Sequence, residues 1–79
     1  MYMNFKEGDF IKAALKEDKD KFSLAYVVEC DIENEAYRVN DMYCNYGRNL
    51  LGTIWTTLKG SDDIEIEKIT KERAFAEMI

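Results

Sequence analysis

The sequence predicts a small, mainly β domain in which about five short strands form a barrel, followed by a short carboxyl-terminal helix. Three observations predict this class. The chain has 79 residues, which suffices for one hydrophobic core, so a single domain over residues 1–79 is expected. Apolar and polar residues alternate in several short windows. Proline is absent and Gly, Asn and Asp separate these windows, as is typical of short strands joined by turns.

The window Phe22–Asp31 has the clearest strand pattern. Its alternation places five larger side chains on one face, namely Phe22, Leu24, Tyr26, Val28 and Cys30, and a more polar set on the other face, namely Ser23, Ala25, Glu29 and Asp31. Residues 32–35 are expected to turn. Residues 36–40 then return as a second strand, with Tyr37 and Val39 on a common face, which makes a hairpin.

Two further strands and a helix are predicted in the second half of the chain. Residues 53–58 are β-branched and aromatic, which favours a strand, and Trp55 within it is expected in the core. Residues 59–63 form a turn, and residues 64–69 alternate with Glu65 and Glu67 toward water. Thr70 is a suitable N-cap for a helix over residues 71–79 that closes one end of the sheet.

Residues 10–15 are ambiguous in sequence. Their apolar spacing and alanine content suit a helix capped by Asp9, and local propensity favours helix slightly. The preceding Gly8-Asp9 and the charged run over residues 16–21 instead suit a strand that enters a hairpin loop. Both alternatives stay open on local pattern alone.

The composition excludes most enzyme chemistry. Histidine is absent, which removes the usual general base at neutral pH, the Ser–His and Cys–His pairs and the commonest zinc ligand. Gly47 and Gly52 are isolated, so no glycine-rich nucleotide-binding loop is present. We therefore expect a protein that is not an enzyme, with no catalytic residues, no metal and no cofactor.

The two cysteines, Cys30 and Cys44, are too few for a tetrahedral thiolate site and are not spaced as a redox pair. We predict that both are buried thiols. A disulfide is the alternative in an oxidising compartment, since Cys44 falls in a predicted loop that can fold back. The first residues lack a signal-peptide pattern and no apolar run reaches membrane-spanning length, so we expect a cytoplasmic protein without membrane contact.

The charge is acidic and concentrated in two windows. Sixteen acidic residues against eleven basic ones give a net charge of −5, which disfavours direct binding to nucleic acid. The windows contain Glu29, Asp31, Glu33 and Glu35 in the first, and Asp62, Asp63, Glu65 and Glu67 in the second. If the fold brings them together, they form one acidic face that attracts a partner protein with a basic surface. Ordinary solvated charge is the alternative interpretation.

The stretch from Phe5 to Asn49 resembles the Tudor domains of the SH3-like barrel class. The matching features occur in the order Lys6-Glu7-Gly8-Asp9, Ala13, Glu17-Asp18, Ala25, Asp31, Val39, then Tyr46-Gly47 with Asn49. The resemblance implies a Tudor-like barrel and a strand over residues 10–15.

Tudor domains read methylated lysine or arginine through a cage of aromatic side chains. The resemblance places a partial cage at Phe22, Tyr43 and Tyr46, with Asn49 as its polar partner. This chain departs from the family at Leu15 and Ser23, where aromatic residues are common, and its loop after the third strand is longer. The alternative is that Tyr43 and Tyr46 are loop aromatics that cover the open side of the barrel.

Two functions follow as hypotheses. The first is a small acidic binding protein, a monomer or weak homodimer, that occupies a partner's surface. The most specific version of this hypothesis is an inhibitor of a nucleic-acid-handling protein, of the phage anti-defence or immunity type. It rests on analogy, because proteins of that type are often small acidic domains like this one. The second is a Tudor-like reader of a methylated or basic peptide.

Overall fold

The computed structural model describes residues 5–45, 55, 58 and 62–78. This part of the chain is mainly β. It contains the strands β1 (Phe10–Leu15), β2 (Phe22–Asp31), β3 (Ala36–Cys44) and β4 (Ile64–Ile69), followed by the helix α1 (Lys71–Glu77). The four strands form one antiparallel sheet in the order β3-β2-β1-β4.

Residues 10–15 form a strand, so the strand prediction is confirmed and the helical alternative is wrong. β1 pairs with β2 on one side and with β4 on the other, which places Phe10 opposite both Tyr26 and Ile69. Ile11 and Ala13 are fully buried in this central position. Pairing on both edges satisfies the backbone and outweighs the small helix propensity of the alanines.

The sheet carries a hydrophobic cluster on each face. The first cluster combines strand residues with Phe5 and Leu58, and consists of Phe5, Ile11, Ala13, Ala25, Val27, Tyr37, Val39 and Leu58. The second is smaller and consists of Leu24, Ile69 and Ala74, with Phe10, Phe22, Met42, Tyr43 and Met78 packed against it. Because both faces are covered, β2 is buried on both faces in its first half, at Ser23, Leu24, Ala25 and Val27, instead of having one wet face there.

A β-bulge in β2 changes which face its last residues occupy, so the faces predicted from the sequence are wrong beyond it. The register shifts between Val27 and Glu29, so Val28 is an extra residue without an opposite partner. Cys30 therefore packs against the first cluster with Ala25 and Val27, and not with Phe22 and Leu24 in the second. The strict alternation expected from the sequence is correct only up to the bulge.

The hairpin of β2 and β3 is confirmed, with Tyr37 and Val39 buried in the same cluster. β3 is longer than predicted and extends to Cys44, so Tyr43 lies in the strand opposite Leu24 and not in a loop. The predicted strand over 53–58 lies outside the described residues apart from Trp55 and Leu58. Trp55 is 46% exposed, so its predicted core position is wrong.

The terminal helix begins as predicted. The Thr70 side chain accepts a hydrogen bond from the backbone N–H of Arg73 at 3.1 Å, which caps α1. The described helix ends at Glu77, shorter than the expected span. It packs on a face of the sheet through the buried Ala74, and its Phe75 ring lies 6.3 Å from that of Phe10. It therefore covers the second cluster instead of closing the end of the sheet.

The two thiols are far apart and no disulfide joins them. Cys30 lies opposite Tyr37 and Cys44 lies opposite Ser23, at the other end of the hairpin. The seven residues from Tyr37 to Cys44 span roughly 20 Å of strand, well beyond the reach of a disulfide. Cys30 is half-buried and Cys44 is exposed, so the prediction of two buried thiols is wrong for Cys44.

Candidate functional site

The first acidic window folds into the turn between β2 and β3, which we call the tip surface and define as residues 31–35. Asp31 organises it, because its carboxylate accepts hydrogen bonds from the backbone N–H of Asn34 at 3.3 Å and from the Asn34 side chain at 2.8 Å. The backbone N–H of Glu35 donates to the carbonyl of Ile32 at 3.3 Å. The turn is thus held by local hydrogen bonds and presents its remaining side chains outward.

Ile32 is the most exposed large apolar side chain among the described residues, with 85% of its surface accessible. It stands between carboxylates whose charge is not compensated. Within the described part of the chain, no basic side chain forms an ion pair with Asp31, Glu33 or Glu35. Sequence reasoning found the acids but missed Ile32; a branched apolar residue inside an acidic turn was the signal that could have identified it.

Glu29 belongs to the same window but not to the tip surface. It lies on β2 opposite Arg38 of β3, and the two side chains form an ion pair. Both side chains are about half exposed, so the pair contributes little stability and mainly cancels the charge of Glu29.

The negative charges of the second acidic window are neutralised to a greater extent than those of the tip surface. Glu65 lies 2.7 Å from the Lys19 ammonium, and Glu67 lies 2.8 Å from the Arg73 guanidinium. The hydrogen bond from Lys19 lowers the pKa of Glu65 below its ordinary value, and the same bond raises the pKa of Lys19. The other two members, Asp62 and Asp63, are exposed just before β4.

The register separates the two windows. Asp63 precedes Ile64, which pairs with Leu15 at one end of β1, whereas the tip surface extends beyond Tyr26, which pairs with Phe10 at the other end. Ten strand residues lie between these levels, which at about 3.3 Å per residue is roughly 30 Å. Asp63 and the tip surface therefore lie near opposite ends of the sheet, and the distance between them along the strands exceeds the screening length of about 8 Å at physiological ionic strength.

Two of the candidate cage residues are in contact. Phe22 at the start of β2 and Tyr43 near the end of β3 have ring centroids 5.8 Å apart at an interplanar angle of 42°. Both side chains are half-buried at the edge of the second cluster. Tyr46 and Asn49, the other two predicted members, lie outside the described residues.

The ammonium group of Lys12 already lies over one of these rings, that of Phe22. The Lys12 ammonium lies 4.5 Å from the Phe22 ring centroid and 2.9 Å from a carboxylate oxygen of Glu77 on α1. Sequence reasoning missed Lys12. The signal was a lysine between Phe10 and Ala14, three residues that alternate onto one face of β1.

A cleft of about 200 Å³ lies next to this contact. It is lined by side chains of β1, β4, α1 and the β1–β2 loop, namely Lys12, Ala14, Lys19, Glu65, Glu67 and Arg73. Each of its basic side chains is paired with a carboxylate. The cleft is smaller than the roughly 300–1,000 Å³ of ordinary small-molecule sites, and its charges are mutually neutralised.

No protein-family model, no curated protein and no solved structure matches this chain. Among the described residues, no helix has the length and apolar character needed to cross a bilayer. The tip surface and the contact of Lys12 with Phe22 are therefore the features of the chain that bear on its function.

Proposed function

We propose that this protein works by binding a basic surface of a partner protein through the tip surface. The observation that carries the proposal is Ile32, which is 85% exposed on a hydrogen-bonded turn among carboxylates that no described basic residue compensates. The turn offers an apolar anchor and a negative rim in one place.

The two parts of this surface have different roles in binding. Full burial of an isoleucine side chain stabilises a complex by about 1.5–3 kcal/mol, and little order has to be imposed because the turn is already held by Asp31. The carboxylates of Glu33 and Glu35 chiefly accelerate encounter with a positive surface and exclude acidic partners. The partner should thus have an apolar pocket surrounded by Lys or Arg.

The partner class we favour is a protein that handles nucleic acid. Such proteins carry basic grooves that neutralise phosphates, and an acidic protein seated in the groove blocks it. The net charge of −5 and the tip surface support an inhibitor of this kind. No chemical step is required of the chain, which fits a composition without histidine.

We also infer that the fold is a small SH3-like barrel of the Tudor-like kind. The support is the order β3-β2-β1-β4, in which the last strand pairs with the first, together with the strand pattern over residues 53–58. In small barrels of this class a fifth strand pairs with an edge of the sheet and closes it.

The test compares matched charge reversals at the two ends of the sheet. A partner captured from the native host is purified, and its association is measured by surface plasmon resonance at 50 and 300 mM salt. Glu33→Lys/Glu35→Lys is expected to slow association by at least tenfold at low salt, with a smaller effect at high salt. Ile32→Asp is expected to accelerate dissociation, because it removes the apolar anchor.

The control is Glu17→Lys/Asp20→Lys, which makes the same change of charge in the β1–β2 loop at the far end of the sheet. It is expected to alter association less than threefold. Equal effects of the two double variants would show that net charge matters and the tip surface does not. Unchanged kinetics in both the tip double variant and Ile32→Asp would refute the proposed surface.

A second candidate function, a reader of a methylated or basic peptide, is favoured by the contact between Phe22 and Tyr43. In the described arrangement Lys12 covers a face of Phe22, so an incoming methylammonium group has to displace it. A chemical-shift titration with methylated lysine and arginine peptides tests this function. Absence of shifts in the Phe22 and Tyr43 rings at millimolar peptide would contradict it.

A further inference from the structure

Lys12 is held in an unusual position for a lysine in a small domain. It lies in the central strand β1, and its side chain is only 13% exposed. Its ammonium contacts a ring face of Phe22 at 4.5 Å and the Glu77 carboxylate at 2.9 Å. A lysine at the surface normally keeps its ammonium in water, so this placement needs both contacts.

The Phe22 ring therefore acts as a cation site whose occupant belongs to the same chain. A ring face attracts an ammonium group, and the attraction grows as the contact is removed from water. The adjacent Tyr43 ring, tilted by 42° at 5.8 Å, presents a second aromatic surface beside it. Nothing in this geometry is specific to lysine, because any compact organic cation satisfies the same attraction.

The other contact of Lys12 comes from α1, and α1 is weakly held. A helix of seven residues is too short to persist alone, so it depends on docking to the sheet. Docking rests on the buried Ala74, the contact of Phe75 with Phe10, and two ion pairs, Lys12 with Glu77 and Arg73 with Glu67. Such an element opens at a lower free energy than the paired strands.

The Glu77 carboxylate is also incompletely satisfied. One oxygen accepts from Lys12, while the other is buried and has no hydrogen-bond donor among the described residues. A buried acceptor without a donor is destabilising, which reduces the net stability of the docked helix. The carboxylate that holds Lys12 is thus itself only partly satisfied, which weakens the docking of α1.

We propose that Lys12 and α1 form an autoinhibitory contact that closes an organic-cation site on Phe22 and Tyr43. In the docked state Glu77 holds Lys12 over the ring. When α1 undocks, Lys12 loses its carboxylate and the ring face becomes accessible to an external ammonium ion. The device concerns the same rings as the second candidate function, but it is separate from the tip surface, so its failure leaves the binding function of the tip surface intact.

The test uses tetramethylammonium chloride as the probe, with sodium chloride at equal ionic strength as the reference. Ring resonances of Phe22 and Tyr43 are followed by NMR in the full chain. Lys12→Gln is expected to lower the half-saturation concentration roughly fivefold or more relative to the unaltered protein, because the internal competitor is gone. The half-saturation concentration of Glu77→Gln is expected to lie between those of Lys12→Gln and the unaltered protein.

The matched control is Lys19→Gln, which removes another lysine from the same cleft but none from a ring face. Its half-saturation concentration should equal that of the unaltered protein. Equal binding by Lys12→Gln and the unaltered protein would overturn the autoinhibitory contact. Absence of ring shifts in Lys12→Gln would overturn the cation site itself.

A measurement on the unaltered protein covers the case in which Lys12→Gln fails to fold. A ring face 4.5 Å away shifts the Hε resonances of Lys12 upfield of their random-coil position. Glu77→Gln should move them back toward that position, and Phe22→Leu should abolish the shift. Lys12 resonances at the random-coil position in the unaltered protein would refute the proposal independently of any ligand.

Discussion

Glycine substitutions at Glu35 and Glu33 of the tip surface distinguish the effect of backbone strain from the effect of losing a carboxylate. Its φ is 52°, in the left-handed region that residues with a Cβ rarely adopt. The neighbouring Glu33 has the same side chain and the same exposed position, but no positive φ. Glu35→Gly and Glu33→Gly therefore remove the same charge from the same turn and differ chiefly in the strain that they relieve.

The expected magnitudes follow from this difference. Replacement by glycine costs roughly 0.5–1 kcal/mol at either position, because glycine loses more conformational freedom on folding. At Glu35 the substitution also relieves about 1–2 kcal/mol of left-handed strain. Glu35→Gly should thus stabilise the protein by about 0.5 kcal/mol, and the two variants should differ by about 1–2 kcal/mol.

The assay is urea unfolding at pH 7, monitored by far-UV circular dichroism and extrapolated linearly to water. Against a total stability of about 3–5 kcal/mol for a domain of this size, the expected difference is readily measured. Destabilisation of the same size in both variants would refute the strain argument. If the tip surface binds the partner, Glu35→Gly should weaken binding while it stabilises the fold, which is the behaviour of strain kept at a functional position.

Three further outcomes are expected. Leu24→Ala, at a fully buried position, should cost about 2–5 kcal/mol, so circular dichroism should show a substantially unfolded population. Glu65 has a lowered pKa and Lys19 a raised one, so their pair should stabilise the fold across neutral pH and lose effect as pH falls through the first pKa or rises through the second. Lys19→Gln should raise the Glu65 pKa in an NMR titration, and an unchanged value would contradict the pairing. A thiol reagent should modify Cys44 before Cys30, because burial raises the Cys30 pKa and Cys44 is exposed; mass spectrometry that finds the reverse order would count against the described burial.

Local pattern was sufficient for the elements that depend on nearby residues. The alternation in Phe22–Asp31 and the return over 36–40 predicted the hairpin, because period two and turn residues are properties of adjacent positions. Thr70 predicted the start of α1, because an N-cap acts within one turn. Residues 10–15 were undecided locally, and their pairing with two distant strands determined the strand.

The candidate sites were less predictable, since they join residues that are remote in sequence. The acidic composition of both windows was evident, but the distances between their members depend on the register, which places Asp63 and the tip surface near opposite ends of the sheet. The contact of Lys12 with Glu77 joins residues 65 positions apart, and no local pattern reports such a pair. Of the predicted cage, the structure brings Phe22 and Tyr43 together.

By itself, the amino-acid sequence determined a small acidic domain, mainly β, without histidine chemistry, because composition and short-range periodicity suffice for those properties. Only the tertiary structure decided that Ile32 stands exposed among uncompensated carboxylates and that Lys12 covers Phe22. The reason is physical: charge compensation and ring contacts depend on distances across the sheet and to α1, which are set by strand register and packing and not by neighbouring residues.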